Sequence, residues 1–259
     1  ALYFNAGVFQ PDPNKSAEWN RGAYIVEGLG HCNACHATRN LLGAVAKDDD
    51  YSGGLIPLQN WYAPSLTSSR EAGLGDWETK EIVELLRTGI SPRGAAVGPM
   101  AVVVQHSLQE MSQVDLQAMA TYLKAQTQIT PDEPWIAPHA VAQAEVGSMM
   151  QSGAKIYKDK CASCHMDDGQ GVPRVYPPLA RNQAVRLKNP INALRIVLNG
   201  GFPPSTEGNP RPYGMPPFYQ ELSDEQVAAV VTFIRQSWGN SAPPVWSVDV
   251  QKSRGVPAD

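Results

Sequence analysis

The sequence has no long hydrophobic segment, no surplus of basic residues and few cysteines. Apolar runs such as residues 100–104 are far too short to cross a bilayer, and residues 1–9 are too short and too interrupted for a leader or a membrane span. Lys and Arg number 21 against 25 Asp and Glu, so the formal net charge of -4 gives no basic excess for binding nucleic acid. We therefore expect a soluble chain with no transmembrane segment and no nucleic-acid partner.

The composition still supports a folded protein. A length of 259 residues fits one large domain or two ordinary ones, and a hydrophobic content of 42% is enough to build packed cores. The chain also has 22 Gly and 22 Pro, which interrupt regular elements. The sequence thus predicts a folded chain that is rich in turns and irregular loops.

All four cysteines belong to two copies of one pattern, Cys-x-x-Cys-His. The copies consist of Cys32, Cys35 and His36, and of Cys161, Cys164 and His165. This pattern is typical of covalent haem attachment, because two thiols add to the two vinyl groups of one porphyrin and the adjacent His ligates the iron. The sequence therefore predicts two covalent haem c groups, with His36 and His165 as iron ligands.

Other uses of the cysteines are less well matched by the pattern. A structural zinc site takes four thiolates, but it does not require a His directly after the second Cys of each pair. A disulfide across two residues is a strained closure typical of redox motifs, and a thioredoxin-like role needs only one such motif near a βαβ pattern. No βαβ pattern is visible, so haem attachment is favoured over zinc and disulfides.

Similar elements surround the two motifs in the same order, which indicates an internal duplication. Helices are predicted at residues 16–30 and 146–160, at residues 77–88 and 190–199, and at residues 112–124 and 223–235. Gly22 and Gly153 in the opening helices are small enough to let Tyr122 and Phe233 of the closing helices approach closely. A segment with three prolines, residues 130–139, is predicted to link the repeats, with the boundary near residue 138.

The sixth iron ligand is predicted from the seven methionines. Met100 and Met215 stand next to Gly and Pro, in predicted loops that follow the middle helix of each repeat. Met is a common axial ligand in cytochromes c of high potential. His106 is the competing ligand in the first repeat, where ligation by two histidines would lower the potential. We therefore expect Met100 and Met215 as the sixth ligands and keep His106 as the alternative.

Several stretches resemble a known family. Residues 21–40, 61–67, 98–100 and 213–217 are similar to the cytochrome c subunits of bacterial membrane-associated dehydrogenases for alcohols, gluconate, sorbitol or fructose. Members of that family commonly carry three haems, and this sequence resembles their second and third haem domains. The resemblance implies an all-α fold of two tandem class I-like cytochrome c domains, loop-rich and each around one covalent haem, at residues 1–138 and 139–259.

The resemblance also implies the surroundings of each haem. In c-type cytochromes a Pro carbonyl accepts the Nδ1–H bond of the iron-bound His, and a Leu two residues later packs on the haem. Pro64 and Leu66 match this pattern in the first repeat, and Pro177 and Leu179 match it in the second. We expect these four residues to line the two haems.

The implied function is electron transfer without catalysis by the chain itself. A partner dehydrogenase is expected to reduce one haem, and a cytochrome, a quinone or an oxidase is expected to accept the electrons. Haem attachment of this kind implies export to the periplasm after removal of a leader, and peripheral membrane association is compatible with it. The alternative is a dihaem enzyme such as a peroxidase, and a dihaem sensor or storage protein is a third, weaker interpretation.

Overall fold

The structure is a computed structural model of the 259-residue chain. It describes residues 7–45, 50–68, 71, 73–129 and 140–255, and the side chains from residue 143 in the last of these ranges. We call residues 7–129 the first half and residues 140–255 the second half. The predicted linker at residues 130–139, with its boundary near residue 138, lies outside the described residues.

The first half consists mainly of helices. Its α-helices are α1 (Ala17–Ala23), α2 (Asn33–His36), α3 (Thr79–Thr88), α4 (Pro99–His106) and α5 (Gln113–Lys124). A π-helix at Tyr24–Leu29 continues α1, and 3-10 helices lie at Leu74–Asp76 and Leu108–Glu110. Two short antiparallel hairpins pair β1 (Gly54–Leu55) with β2 (Tyr62–Ala63) and β3 (Ile90–Ser91) with β4 (Gly94–Ala95).

The second half repeats this helical order. Its helices are α6 (Ala140–Lys160), α7 (Ala162–His165), α8 (Gln183–Arg186), α9 (Ile191–Asn199), α10 (Asp224–Gln236) and α11 (Ser247–Arg254). The predicted opening, middle and closing helices are all present in both halves, which confirms a helix-rich, all-α class. In the described part of the chain, no helix is long and apolar enough to span a membrane.

Serine residues cap the first turns of α1, α5 and α10. The Ser16 hydroxyl accepts a bond from the Trp19 N–H at the start of α1. Ser112 does the same for Asp115 in α5, and Ser223 does so for Gln226 in α10. Each cap satisfies one of the N–H groups that a helix leaves unpaired at its first turn.

The opening and closing helices cross at the two predicted glycines. A Cβ atom on Gly22 would lie 2.0 Å from the Ala118 carbonyl oxygen, and one on Gly153 would lie 2.2 Å from that of Ala229. Any larger residue would therefore push the helices apart. The aromatic residue at each crossing packs within its own half, as predicted.

Each half has its own hydrophobic core. Ile25, Val26 and Tyr122 lie in the core of the first half. Tyr157 and Val231 lie in the core of the second half. The two cores place the two Cys-x-x-Cys-His motifs in separate halves, since Cys32 packs against the first core and Cys161 against the second.

Two features differ from the sequence predictions. Met100 lies in the first turn of α4 and not in a loop, because Pro99 occupies the first helical position, where its missing N–H and fixed φ do no harm. The helix α11 follows Trp246 in a region that carried no prediction of a helix. Both features contribute to the cores, since Met100 packs against the first core and Val250 of α11 lies in the second.

Candidate metal centres

The first motif follows directly from the opening helix. The π-helix places an extra residue in the turn, so the N–H of Gly30 reaches the carbonyl of Ile25, and the N–H of Cys32 reaches that of Val26. The N–H of His36 then bonds to the Cys32 carbonyl at 2.9 Å. Cys32, Cys35 and His36 therefore lie on a single turn, with two thiols and one imidazole on a short piece of backbone.

The second motif forms a similar turn, but it follows an α-helix and not a π-helix. Helix α6 runs up to Lys160, and the N–H of Cys161 bonds to the Tyr157 carbonyl at 2.8 Å. The N–H of His165 bonds to the Cys161 carbonyl at 2.9 Å, as in the first motif. The Tyr157 hydroxyl donates to the carbonyl of Met166 at 2.7 Å and so ties the end of the turn to α6.

Each motif histidine is oriented by a proline carbonyl. The Nδ1 atom of His36 lies 2.9 Å from the Pro64 oxygen, and that of His165 lies 3.1 Å from the Pro177 oxygen. When Nδ1 donates to the carbonyl, Nε2 keeps its lone pair for a metal. The structure thus brings together the His and Pro residues that the sequence pairs, and their role toward a haem stays a prediction.

Burial sets the protonation of both imidazoles. It lowers the pKa of His36 and of His165 below the usual value, while the proline carbonyls act in the opposite direction. A neutral imidazole is the form that ligates iron. Each site therefore presents its histidine ready for a metal at neutral pH.

Burial also controls the first cysteine of each motif. It raises the pKa of Cys32 and of Cys161 to about 11, so free thiols at these positions stay protonated at neutral pH. Reactive Cys-x-x-Cys pairs in redox enzymes instead have a lowered thiol pKa. This difference argues against a thioredoxin-like use of the motifs.

The two predicted leucines lie beside the cores. Leu66 packs against the core of the first half, and its N–H bonds to the Tyr51 carbonyl at 2.9 Å. Leu179 packs against the core of the second half, and its N–H bonds to the Gly169 carbonyl at 2.7 Å. Both leucines follow the carbonyl that orients the histidine by two residues, so each loop supplies a hydrogen-bond acceptor and an apolar side chain.

The two predicted methionine ligands also pack against the cores. Met100, in the first turn of α4, lies against the first core, and Met215 lies against the second. Backbone bonds with Gly201 hold Met215 from both sides, at 2.8 and 3.1 Å. His106 at the end of α4 is exposed, which favours Met100 over His106 as the inward-facing residue.

Glu71 and Asn192 lie near the first site, and the sequence did not predict a role for either of them. Glu71 is a carboxylate with only 7% of its surface exposed, and Asn192 lies across the boundary between the halves. The Tyr62 hydroxyl donates a bond to the Glu71 carboxylate at 3.1 Å. Neither residue belongs to a sequence motif, and their bonds between the halves join Asn192 to Tyr62 and Glu71 to Lys188, 130 and 117 residues apart.

The donor set of each half fits a covalently bound haem. Two thiols and an imidazole share one turn, the imidazole Nε2 is left available, and a methionine packs against the same core. A four-thiolate zinc site does not form, because the first cysteine of one motif packs against the first core and that of the other motif against the second. Within the described ranges, no three His, Cys, Asp or Glu residues are grouped to hold a metal ion.

Comparison with known proteins identifies relatives over most of the chain. The cytochrome c family matches residues 150–238, which include the second motif. The cytochrome c subunit of the quinone alcohol dehydrogenase of Gluconobacter oxydans is 40% identical over 90% of this chain and 51% of its own length. The cytochrome c subunit of gluconate 2-dehydrogenase from Pantoea cypripedii is 39% identical over 91% of this chain and 55% of its own length.

A further relative extends the group. The fructose dehydrogenase cytochrome subunit of Gluconobacter japonicus is 29% identical over 94% of this chain and 53% of its own length. The chain thus spans about half the length of the curated relatives that it matches. Over most of its own length, the chain is thus homologous to the cytochrome c subunits of bacterial alcohol, gluconate and fructose dehydrogenases.

Proposed function

We propose that the chain is a dihaem c-type cytochrome that carries electrons from a dehydrogenase to a respiratory acceptor. The observation that carries this proposal is the repeated site, in which a Cys-x-x-Cys-His turn and a proline carbonyl occur together in each half. The names of the relatives support it, because they are cytochrome c subunits of dehydrogenases.

The proposed domains are residues 1–138 and 139–259, each around one covalent haem. Haem, when bound, supplies reversible one-electron chemistry at its iron. Cys32 and Cys35 would attach the haem of the first domain, and Cys161 and Cys164 would attach that of the second. His36 and Met100 would hold one iron, and His165 and Met215 would hold the other.

The chain's own residues set the conditions for electron transfer. The proline carbonyls fix the plane of each imidazole and raise its basicity, which favours the oxidised state of the metal it ligates. Leu66 and Leu179 each place an apolar side chain against the core, two residues after the proline that orients the histidine. The chain binds no organic substrate of its own, so a partner dehydrogenase performs the substrate oxidation.

We further propose that the chain works in the periplasm, where a donor dehydrogenase and an acceptor such as a cytochrome, a quinone or an oxidase are both accessible. The relatives give no support to the alternative of a dihaem peroxidase. An enzyme of that class needs one iron with an open or displaceable position, whereas both halves offer a methionine beside the core.

The test is a redox titration of the purified chain followed by optical spectroscopy. We expect two one-electron transitions and the weak absorption near the red end of the visible spectrum that Met ligation to ferric iron gives. Hydrogen peroxide should be turned over no faster than by free haem. A single transition, or rapid turnover of peroxide, would contradict the proposal.

A further inference from the structure

The loop that carries Pro64 lies at the boundary between the halves. Strand β2, Tyr62–Ala63, pairs with β1 along one edge, where Leu55 lies opposite Tyr62. The Trp61 carbonyl accepts a bond from the Ile56 N–H on that side. Because strand residues alternate in direction, the N–H and C=O of Tyr62 point to the other edge of the hairpin.

A residue of the second half occupies that other edge. The side-chain amide of Asn192, in the first turn of α9, accepts a bond from the Tyr62 N–H at 2.9 Å. It also donates a bond to the Tyr62 carbonyl at 2.7 Å. One amide therefore satisfies both backbone groups, as a neighbouring strand would do.

A buried carboxylate holds the residues on both sides of Pro64. Glu71 accepts bonds from the Tyr62 hydroxyl at 3.1 Å and from the Ser65 N–H at 3.3 Å. The same carboxylate accepts a bond from the backbone N–H of Lys188 in the second half, at 3.1 Å. Pro64 lies between Tyr62 and Ser65, so the loop is tied to the second half through Asn192 directly and through Glu71.

A further contact restrains the start of the loop. The guanidinium of Arg195, also on α9 and only 2% exposed, lies 4.9 Å from the ring centroid of Trp61. A cation over an indole face is attracted by the ring, more strongly where water is excluded. All three contacts position the residues that flank the carbonyl accepting the His36 bond.

The loop at the second motif is held differently. The Pro178 carbonyl accepts a bond from Asn182, and Val172 pairs with Tyr176, all within the second half. Tyr176 and Pro177 line a cleft of about 400 Å³ that lies between the halves. The second loop is also linked to the first half, by the ion pair of Arg174 with Glu84, but its backbone beside Pro177 is held by Asn182 and by the Val172–Tyr176 pair of its own half.

We propose that the second half completes the first metal centre, with Asn192 and Glu71 as positioning residues that hold the Pro64 carbonyl on His36. This inference rests on the proposed function, because it concerns the haem that His36 ligates. We call the bonds of Asn192 and Glu71 to the Pro64 loop the clamp. Loss of the clamp weakens the Nδ1–H bond of His36, which lowers the basicity of the imidazole and favours the reduced state of its iron. The first haem alone should change, since the second loop does not use the clamp.

The experiment measures both reduction potentials in the full two-haem chain. Hyperfine-shifted haem methyl signals in proton NMR are followed during a redox titration, and each set of signals is assigned with a variant that lacks Cys32 and Cys35. In Asn192→Ala we expect the equilibrium constant for reducing the first haem to rise by about threefold to tenfold, or about 28 to 59 mV for a one-electron couple. The second haem should keep its potential.

Three further variants make the result specific. Asn192→Gln keeps both the donor and the acceptor, without a new charge but on a longer side chain, so its shift should have the same direction and be smaller. Glu71→Gln tests the other anchor independently and should also raise the first potential. Glu84→Gln is the matched control, because it removes the ion pair between the halves to Arg174 without touching the Pro64 loop, and it should leave the first potential unchanged.

Each outcome has one meaning. If the unmodified chain lacks a haem at the first motif, the proposed function fails and the inference fails with it. If the chain carries two haems and the first potential stays unchanged in Asn192→Ala and Glu71→Gln, the inference alone fails. Equal shifts at both haems, or an equal shift in Glu84→Gln, would also overturn it, because they indicate a general loss of packing.

Discussion

A Cβ atom added to Gly153 would lie 2.7 Å from the Cβ atom of Phe233. It would also lie 2.2 Å from the carbonyl oxygen of Ala229, which is backbone and cannot rotate away. The absence of a side chain at residue 153 is therefore what lets α6 and α10 cross so closely. Gly22 plays the same part against α5 in the first half.

The substitution Gly153→Ala should destabilise the second half. Overpacking at such a contact typically costs about 1–3 kcal/mol, which exceeds the gain of about 1 kcal/mol from replacing Gly by Ala in a helix. Chemical denaturation of the haem-loaded protein measures the change. Gly147→Ala is the control, because residue 147 lies in the same helix with open space around it, and this variant should be more stable than the parent. Equal stability changes in both variants would show that the crossing is not tight.

The capping box of α10 gives a second stability prediction. The Ser223 hydroxyl accepts from the Gln226 N–H at 3.3 Å, and the Gln226 side chain accepts from the Ser223 N–H at 2.8 Å. Ser223→Ala should lower the free energy of unfolding by about 1 kcal/mol, since it leaves the Gln226 N–H without this partner. Ser148→Ala on exposed α6 surface is the comparison and should change it by less than about 0.5 kcal/mol. No difference between the two variants would contradict the capping role.

The methionine ligands are tested by spectroscopy. Met100→Ala and Met215→Ala should each remove about half of the absorption near the red end of the spectrum of the oxidised protein, because each breaks one sulfur–iron bond. The double variant should lose the band entirely. Met119→Leu is the control, since Met119 is buried in the first core and should affect packing without affecting the band. An unchanged band in Met100→Ala would return His106 to consideration.

The two attachment sites should act independently. Replacing Cys32 and Cys35 by Ala should leave a protein with one haem at the second motif, and replacing Cys161 and Cys164 should leave one at the first. The reason is that Cys32 and Cys161 pack against separate cores. Mass spectrometry of haem-bearing proteolytic peptides distinguishes the two products. Loss of both haems in either variant would mean that the sites do not form separately.

Much of the helical framework is visible in the sequence because its determinants are local. Ser16, Ser112 and Ser223 precede apolar periodic segments, and Gly89 and Gly200 end the middle helices, so these boundaries follow from capping and helix-stop rules. The Cys-x-x-Cys-His patterns are also local, and each directly follows the predicted opening helix of its repeat. The crossings at Gly22 and Gly153 also follow from residue size.

The remaining features depend on contacts that no local pattern encodes. The Gly98–Pro99 pair suggests a loop, whereas Pro99 at a first helical position starts α4 and moves Met100 onto a helix. Asn192 and Tyr62 are 130 residues apart, so their two hydrogen bonds cannot be inferred from periodicity. Arg residues are mostly exposed, so the sequence suggests an exposed Arg235. In the structure Arg235 is only 1% exposed, and its guanidinium donates hydrogen bonds to the Val185 and Leu187 carbonyls.

The most direct test of the account is the number of haems bound covalently to one chain. Intact-mass spectrometry of the protein, produced in cells that carry out c-type haem attachment, measures it under denaturing conditions that strip any haem held without a bond. We predict a single main species whose mass exceeds that of the polypeptide by two haems. A species with one haem, or with none, would contradict the claim that both Cys-x-x-Cys-His motifs are haem sites.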